Sequence, residues 1–287
     1  LTYPEAAAEA KQSIVYTNHT LVRAGNQSYQ YDTLKKYARY YADKMGVTID
    51  ELLKPGLDPT TNGFNITHFA LETSRLASAV SKIHYDNSIV TWPEYKWIYI
   101  TNGVHLPTWQ DTAIRDADKS GDTLWHVHQQ KKQELAAFVA QRTGYSYDPN
   151  RLVISWARRI AGYKRMDSLF QDIHRLKNIL SQPGKEVQLL IAGKAHTDDH
   201  IAVDTLQRII RYMQQELAGF ALFIPNYDID VAQMLVKGSD LWINTPVLGQ
   251  EASGTSGMKA AANGVLQCTV EDGWAAEVDW NDVGWTL

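Results

Sequence analysis

Cysteine is almost absent from this sequence: Cys268 is the only one in 287 residues. A lone thiol excludes an internal disulfide and any multi-cysteine metal site, fits a reducing compartment, and reads as a small core residue. Long apolar runs are also missing. No stretch approaches the roughly 20 residues that cross a bilayer, and the opening LTYPEAAAEAKQ is too polar and acidic for a signal peptide. Charge of one sign is not in excess, since 28 Lys plus Arg face 32 Asp plus Glu, a net of −4. That balance offers no footprint for nucleic acid or an anionic membrane, so a cytoplasmic protein is expected and any anion site has to be built from a few placed cations. No metal is expected either. His68, His84, His126, His128, His174 and His200 show no ligand spacing with acidic partners, and His126 and His128, two apart, fall on different faces of a helix.

What is present is a regular alternation. With 44% hydrophobic residues, the chain is long enough for two modest cores. From Arg151 onward, short apolar runs at Leu152–Trp156, Val187–Ala192, Ala221–Ile224, Leu241–Asn244 and Val265–Val270 read as buried parallel strands. Helical stretches at Asp167–Leu180, Val203–Leu217, Ile229–Val236 and Thr255–Ala262 separate them, the pattern of βαβ units. In the first half, Ile14–Thr17, Ala77–Ile83 and Trp97–Thr101 read as strands, and Tyr31–Met45 and Leu124–Arg142 as long helices. The turn-rich Gly144–Asn150 marks a boundary between domains 1–143 and 144–287.

Parallel sheets bind ligands beyond the carboxyl ends of their strands, and those positions carry chemistry here. Glu251-Ala252-Ser253-Gly254-Thr255-Ser256-Gly257-Met258-Lys259 follows a strand and opens an alanine-rich helix. Small hydroxyl and glycine residues at a helix entrance suit a phosphate, and a lysine one turn inside can condense with an aldehyde cofactor. A loop with a surface lysine is the plainer alternative. Arg158-Arg159-Ile160-Ala161-Gly162-Tyr163-Lys164-Arg165 gathers four cations after another strand. Cations repel, so their gathering makes most sense where anions share the site, although a solvated turn before a helix also fits. Lys194 ends a third strand. Tyr16-Thr17-Asn18-His19-Thr20 and Thr101-Asn102-Gly103-Val104-His105-Leu106-Pro107-Thr108-Trp109 place neutral hydrogen-bonding groups where a sugar could be held; satisfied core histidines are the alternative for His19 and His105. Asp230 reads as a helix cap or a partner of the helix dipole.

The segment Glu251–Lys259 with Ala260–Leu266 resembles the cofactor-lysine segment of the α-glucan phosphorylases, particularly the shorter bacterial and archaeal type. Thr17–Thr20 with Ala24-Gly25-Asn26, Phe64–Thr67, Ser81–His84, Thr101–Trp109, Arg158–Arg165 and Ala192–His196 follow in the family's order, so the resemblance covers nearly the whole chain. It implies an α/β fold of two facing Rossmann-like domains, glycosyltransferase-B-like and incomplete at both ends. It implies pyridoxal 5'-phosphate held by Lys259, with Thr255, Gly254, Ser256 and Arg158 at its phosphate and Trp109 and Lys194 nearby. Arg159 and Lys164 would bind orthophosphate, and His19, Asn102, Glu251, Ser253 and Gly254 the glucosyl unit. The implied reaction is phosphorolysis of α-1,4-glucan to α-glucose 1-phosphate with retention, in an intact protein that is a candidate homodimer. Two other readings are a silent glucan-binding fragment and a sugar-nucleotide-dependent glucan synthase, which has no use for a cofactor lysine. Three features depart from the family pattern. Asp228 stands after Asn226-Tyr227 where an arginine is anticipated, Pro246–Gln250 differs, and glycine-rich loops upstream and closing strands downstream are not in the chain. An isolated chain without those parts is expected to bind cofactor weakly and turn over slowly or not at all.

Overall fold

The computed structural model describes residues 1–22, 25–58, 63–117 and 121–287. Ala24, quoted above in one matching segment, lies outside the described residues. The chain forms two compact units. Unit 1 comprises Leu1–Asn102, Gly249–Ser253 and Asp272–Glu277; unit 2 comprises Gly103–Leu248, Gly254–Glu271 and Val278–Leu287.

Unit 1 contains, in chain order, α1 (Tyr3–Ser13), β1 (Val15–Thr17), β2 (Ser28–Gln30), α2 (Tyr31–Met45), α3 (Ile49–Leu53), β3 (Leu57–Asp58), β4 (Gly63–Asn65), α4 (Ile66–Glu72), β5 (Leu76–Ala79), α5 (Lys82–Thr91) and β6 (Trp97–Tyr99). Strands β1, β5 and β6 form a parallel sheet in that order, with Tyr16 opposite Ala77 and Ala77 opposite Trp97. Leu71, Ala77, Ala79 and Trp97 make its core. The run Ala77–Ile83 is not one strand: β5 stops at Ala79, and Ser81 caps α5 by accepting from His84 N at 3.1 Å. A side-chain oxygen that satisfies a first-turn amide ends the strand and starts the helix.

Unit 2 contains α6 (Leu106–Trp109), α7 (Thr112–Asp116), α8 (Gly121–Thr143), β7 (Leu152–Ala157), α9 (Ile173–Leu180), β8 (Val187–Ala192), α10 (His200–Gln214), β9 (Ala221–Ile224), α11 (Ile229–Gly238), β10 (Leu241–Asn244), α12 (Thr255–Ala261), β11 (Leu266–Thr269) and β12 (Gly284–Thr286). Its six strands are all parallel, ordered β12-β11-β10-β7-β8-β9. The apolar runs are buried strands because both faces are covered. Val153, Ala157, Leu190 and Ala192 point into one core with Leu135, Val139 and Leu235, while Ile154, Trp156, Leu189 and Ile191 point into the other with Ile209 and Leu217. This is the strict alternation of a pleated strand.

The helix expected over Asp167–Leu180 divides into a 3-10 turn at Met166–Phe170 and α9, because Asp172 caps α9 through Arg175 N at 2.9 Å. Likewise α10 begins at His200, earlier than Val203, because Asp199 caps it through Ala202 N. The turn-rich Gly144–Asn150 forms the link from α8 to β7 inside unit 2, since Leu135 and Val139 on α8 are buried against α11. Gly238 permits that approach: a Cβ there would lie 2.6 Å from Leu135 Cβ and 2.7 Å from Lys131 O. Among the described residues no helix is long and apolar enough to cross a membrane, and no three His, Cys, Asp or Glu side chains gather as metal ligands do.

Candidate functional site

The strand order of unit 2 creates one special place. The chain moves outward from β7 to β8 and β9, then returns to lay β10 on the other flank of β7. Crossovers on the two sides of β7 and β10 diverge at their carboxyl ends and leave a crevice there, the topological switch point. The residues leaving β7 and β10 therefore line it.

Beyond β7 the backbone stays paired to the chain leaving β8, with Arg158 N bonded to Ala192 O at 3.2 Å and Ile160 N to Lys194 O at 2.9 Å. Gly193 is required for that approach, because a Cβ would sit 2.3 Å from Arg158 O. Extended pairing alternates the side chains: Arg158 (6% exposed) and Ile160 are buried, and Arg159 is exposed. Lys164 is buried with its ammonium 4.6 Å from the Tyr163 ring centroid, and Lys194 is exposed. The fourth cation serves the fold. Arg165 adopts a left-handed backbone (φ 47°) and donates from Nε to Thr245 O and from Nη2 to Pro246 O, both at 2.9 Å. Thr245 Oγ1 donates to Lys164 O at 3.0 Å, and Val247 N to Tyr163 O at 2.7 Å. The basic turn is thus stitched to the chain that leaves β10.

That chain reaches α12 through Gly254, which is left-handed (φ 84°) and makes no side-chain cap, so the first-turn amides depend on other partners. Ser256 Oγ donates to Asn244 Oδ1 at 3.4 Å. Lys259 Nζ lies 3.7 Å from the centroid of the Trp109 ring, and no carboxylate of the described residues is in ion-pair range of it. Burial lowers its pKa below the ordinary lysine value. A desolvated amine with no counter-ion is neutral for more of the time, which is the nucleophilic form.

In unit 1, His19 and Asn102 both lie just beyond carboxyl ends of the parallel strands. Asn18 N continues the β1–β5 pairing by donating to Ser78 O, and Asn102 N donates to Val80 O at 3.1 Å. Asn18, 1% exposed, accepts at Oδ1 from Thr20 N and fixes the turn that presents His19, itself exposed. His84 locks Asn18 in turn. Val80 N must donate to His84 Nδ1 (3.2 Å), so the neutral ring carries its proton on Nε2 and donates to Asn18 Oδ1 at 3.0 Å. Burial first, and the His19 charge second, pull the His84 pKa down to about 4.

Glu251 is 9% exposed, and its N–H donates to Asp272 Oδ2 at 2.9 Å. Asp272 Oδ1 accepts from Gly273 N at 2.8 Å, and burial, with the Glu251 charge adding, raises its pKa above the usual carboxylate value. Gly273 (φ 59°) lets Ser253 pass, since a Cβ would come within 2.4 Å of Ser253 O. Ser253 Oγ is buried with no hydrogen-bond partner among the described residues. Glu277 accepts from Lys82 N and Thr101 Oγ1, which docks the 272–277 turn beside Asn102.

Asp228, where a cation was anticipated, accepts from Val231 N at 2.9 Å as the cap of α11 and pairs with Arg142 at 2.6 Å. The capping role assigned to Asp230 therefore belongs to Asp228, and Asp230 sits in the first turn. Asn263 and Asp272 also belong to the site, though little in the sequence marks them. An Asn-Gly pair after a helix is an ordinary stop signal, and a lone buried Asp has no periodicity to betray it.

A family model described as carbohydrate phosphorylase matches residues 98–284. The chain is 31% identical to a glycogen phosphorylase of Aquifex aeolicus, over 100% of this chain and 49% of that protein. It is 31% identical to a maltodextrin phosphorylase of Thermococcus litoralis, over 100% of this chain and 40% of that protein. A Mycobacterium tuberculosis glycogen phosphorylase is 28% identical, with 100% and 39% covered. The chain spans half or less of the length of these curated relatives.

Proposed function

This chain belongs to the carbohydrate phosphorylase family, and from that membership we propose that it carries the pyridoxal-phosphate- and orthophosphate-binding part of an α-1,4-glucan phosphorylase. The observation that carries this reading is the Lys259 amine, partly buried against Trp109 with no counter-ion among the described residues, in the unit whose switch point holds the basic turn. Those groups suit the cofactor: an amine for its aldehyde, an aromatic neighbour and the exposed Lys194 near it, and for its phosphate a buried Arg158 and the amides of Gly254, Thr255 and Ser256.

When bound, pyridoxal phosphate supplies a phosphate group that exchanges a proton with orthophosphate. Arg159 and Lys164 have the task of seating orthophosphate beside it. Two adjacent phosphates repel, so their union needs cations already held in place, and the Arg165 clasp and the Gly193 approach provide that rigidity. His19, Asn102, Glu251, Ser253 and Gly254 bond the glucosyl hydroxyls, with the Glu251 carboxylate as acceptor and the partnerless Ser253 hydroxyl as a free donor. Orthophosphate gives a proton to the glycosidic oxygen as the C1–O bond breaks. Its oxygen then bonds to C1 from the face the leaving group vacated, which yields α-glucose 1-phosphate with retention. The test is an absorbance titration with pyridoxal phosphate. A lysine-adduct band that disappears in Lys259→Ala is expected, and a band that persists in that variant would sink the reading.

A further inference from the structure

Asn263, two residues beyond α12, is 2% exposed. Its carboxamide makes three hydrogen bonds. Nδ2 donates to Lys259 O at 2.9 Å and to Trp109 O at 2.8 Å, and Oδ1 accepts from Asp111 N at 2.8 Å. Two carbonyls and one N–H permit only one orientation of the amide. A side chain that merely ended α12 would need only the Lys259 carbonyl, yet two of the three bonds reach the strap that joins α6 to α7.

That strap has little stability of its own. α6 is four residues long, below the length at which a helix holds itself. It is fastened from outside by Asn263, by Gln110 Nε2 on Ala262 O at 2.9 Å and by Gln233 Nε2 on Thr108 O at 3.0 Å. Of these only Asn263 grips the main chains of both residues whose side chains meet, the Trp109 ring and the Lys259 ammonium 3.7 Å from its centroid.

We propose that Asn263 is a positioning residue for the cofactor pocket, a clip that sets the Trp109 indole against the Lys259 amine and so maintains the desolvation that keeps this amine reactive. The proposal rests on the reading of Lys259 as the cofactor lysine. Its test has one readout independent of that reading.

Reductive methylation of Lys259, followed by mass spectrometry across pH, reports the titration midpoint of the amine without any cofactor. In Asn263→Ala the midpoint is expected to rise toward that of an ordinary lysine. Trp109→Ala, which opens the same side of the amine to water, is expected to produce a rise of the same sign, and the double variant to add nothing, because both changes remove the same cover. A separate titration with pyridoxal phosphate is expected to show adduct affinity weakened about tenfold in Asn263→Ala, the scale of a lost buried hydrogen bond. If circular dichroism shows Asn263→Ala to be unfolded, Asn263→Ser, which keeps a hydroxyl donor, replaces it in the same cycle. An unshifted midpoint, or shifts that add in the double variant, overturns the proposal. No Lys259-dependent adduct in the unaltered protein overturns the cofactor reading alone, since the methylation midpoints still decide the role of Asn263.

Discussion

Asp240, the residue before β10, holds the end of the unit 2 sheet opposite the switch point. Its Oδ1 is 2.8 Å from His128 Nε2, and its Oδ2 is 2.7 Å from Lys132 Nζ and accepts from Val153 N at 2.7 Å. Lys132 is 3% exposed and has one further partner, Arg151 O. Asp240→Ala strands that ammonium in the interior and leaves the Val153 N–H unpaired. Breaking a buried pair from one side costs roughly 3–5 kcal/mol, a large share of the roughly 5–15 kcal/mol that holds a domain together. Urea unfolding followed by circular dichroism near neutral pH is expected to show a loss of at least about 3 kcal/mol. The double variant Asp240→Asn with Lys132→Met, which removes both charges, is expected to recover about half of it or more.

The same group sets a pH signature. Burial works against the carboxylate, but the His128, Lys132 and Val153 hydrogen bonds outweigh it and hold the Asp240 pKa below the ordinary value. A depressed folded pKa means the stabilisation is complete above the unfolded value of about 4 and fades as pH falls through the folded one. The gap between Asp240→Ala and the unaltered protein is therefore expected to close in acid. A gap under about 1 kcal/mol at neutral pH, or one that persists undiminished to roughly pH 2, would refute the reasoning.

His84 gives a second pH test. With its pKa pulled down to about 4, its contribution is whole above the unfolded value of about 6.5 and is lost toward pH 4. Thermal unfolding across that window is expected to register a decline of roughly 2–3 kcal/mol that His84→Asn abolishes; superimposable curves would contradict it. Gly193→Ala places a Cβ 2.3 Å from Arg158 O, so a loss of roughly 1–3 kcal/mol and weaker phosphate binding by calorimetry are expected, whereas an unchanged melting temperature would count against the close approach. Gly238→Ala forces α11 off Leu135 and Lys131 O on α8 and is expected to cost roughly 1–3 kcal/mol in chemical denaturation.

The strands of unit 2 were legible because a parallel strand covered on both faces is apolar along most of its length, and Val187–Ala192, Ala221–Ile224 and Leu241–Asn244 match their expected bounds. Helix starts were less legible where an Asp competed for the role: Asp172 and Asp199 moved two of them. The membership of Gly249–Ser253 in unit 1 could not be read at all, because it depends on Asp272 and on Asn87, which donates to Gly249 O. Local pattern carries no record of such distant pairings. The candidate site shows the same limit. Composition flagged the cations of Arg158–Arg165, but only the backbone reveals that Arg165 spends its guanidinium on two carbonyls, or that Asn263 joins Lys259 to Trp109.

The place of β7 in the strand order bears on how the unit is made. As the polypeptide emerges from the ribosome, β7 can acquire β8 and then β9 at once, but its other flank waits for β10, which is translated only after α11. Until then a bare, apolar strand edge faces solvent, with unpaired amides ready to recruit a neighbouring nascent chain. Chains arrested just before Leu241 are expected to aggregate or to be held by chaperones, and those arrested after Asn244 to escape that fate.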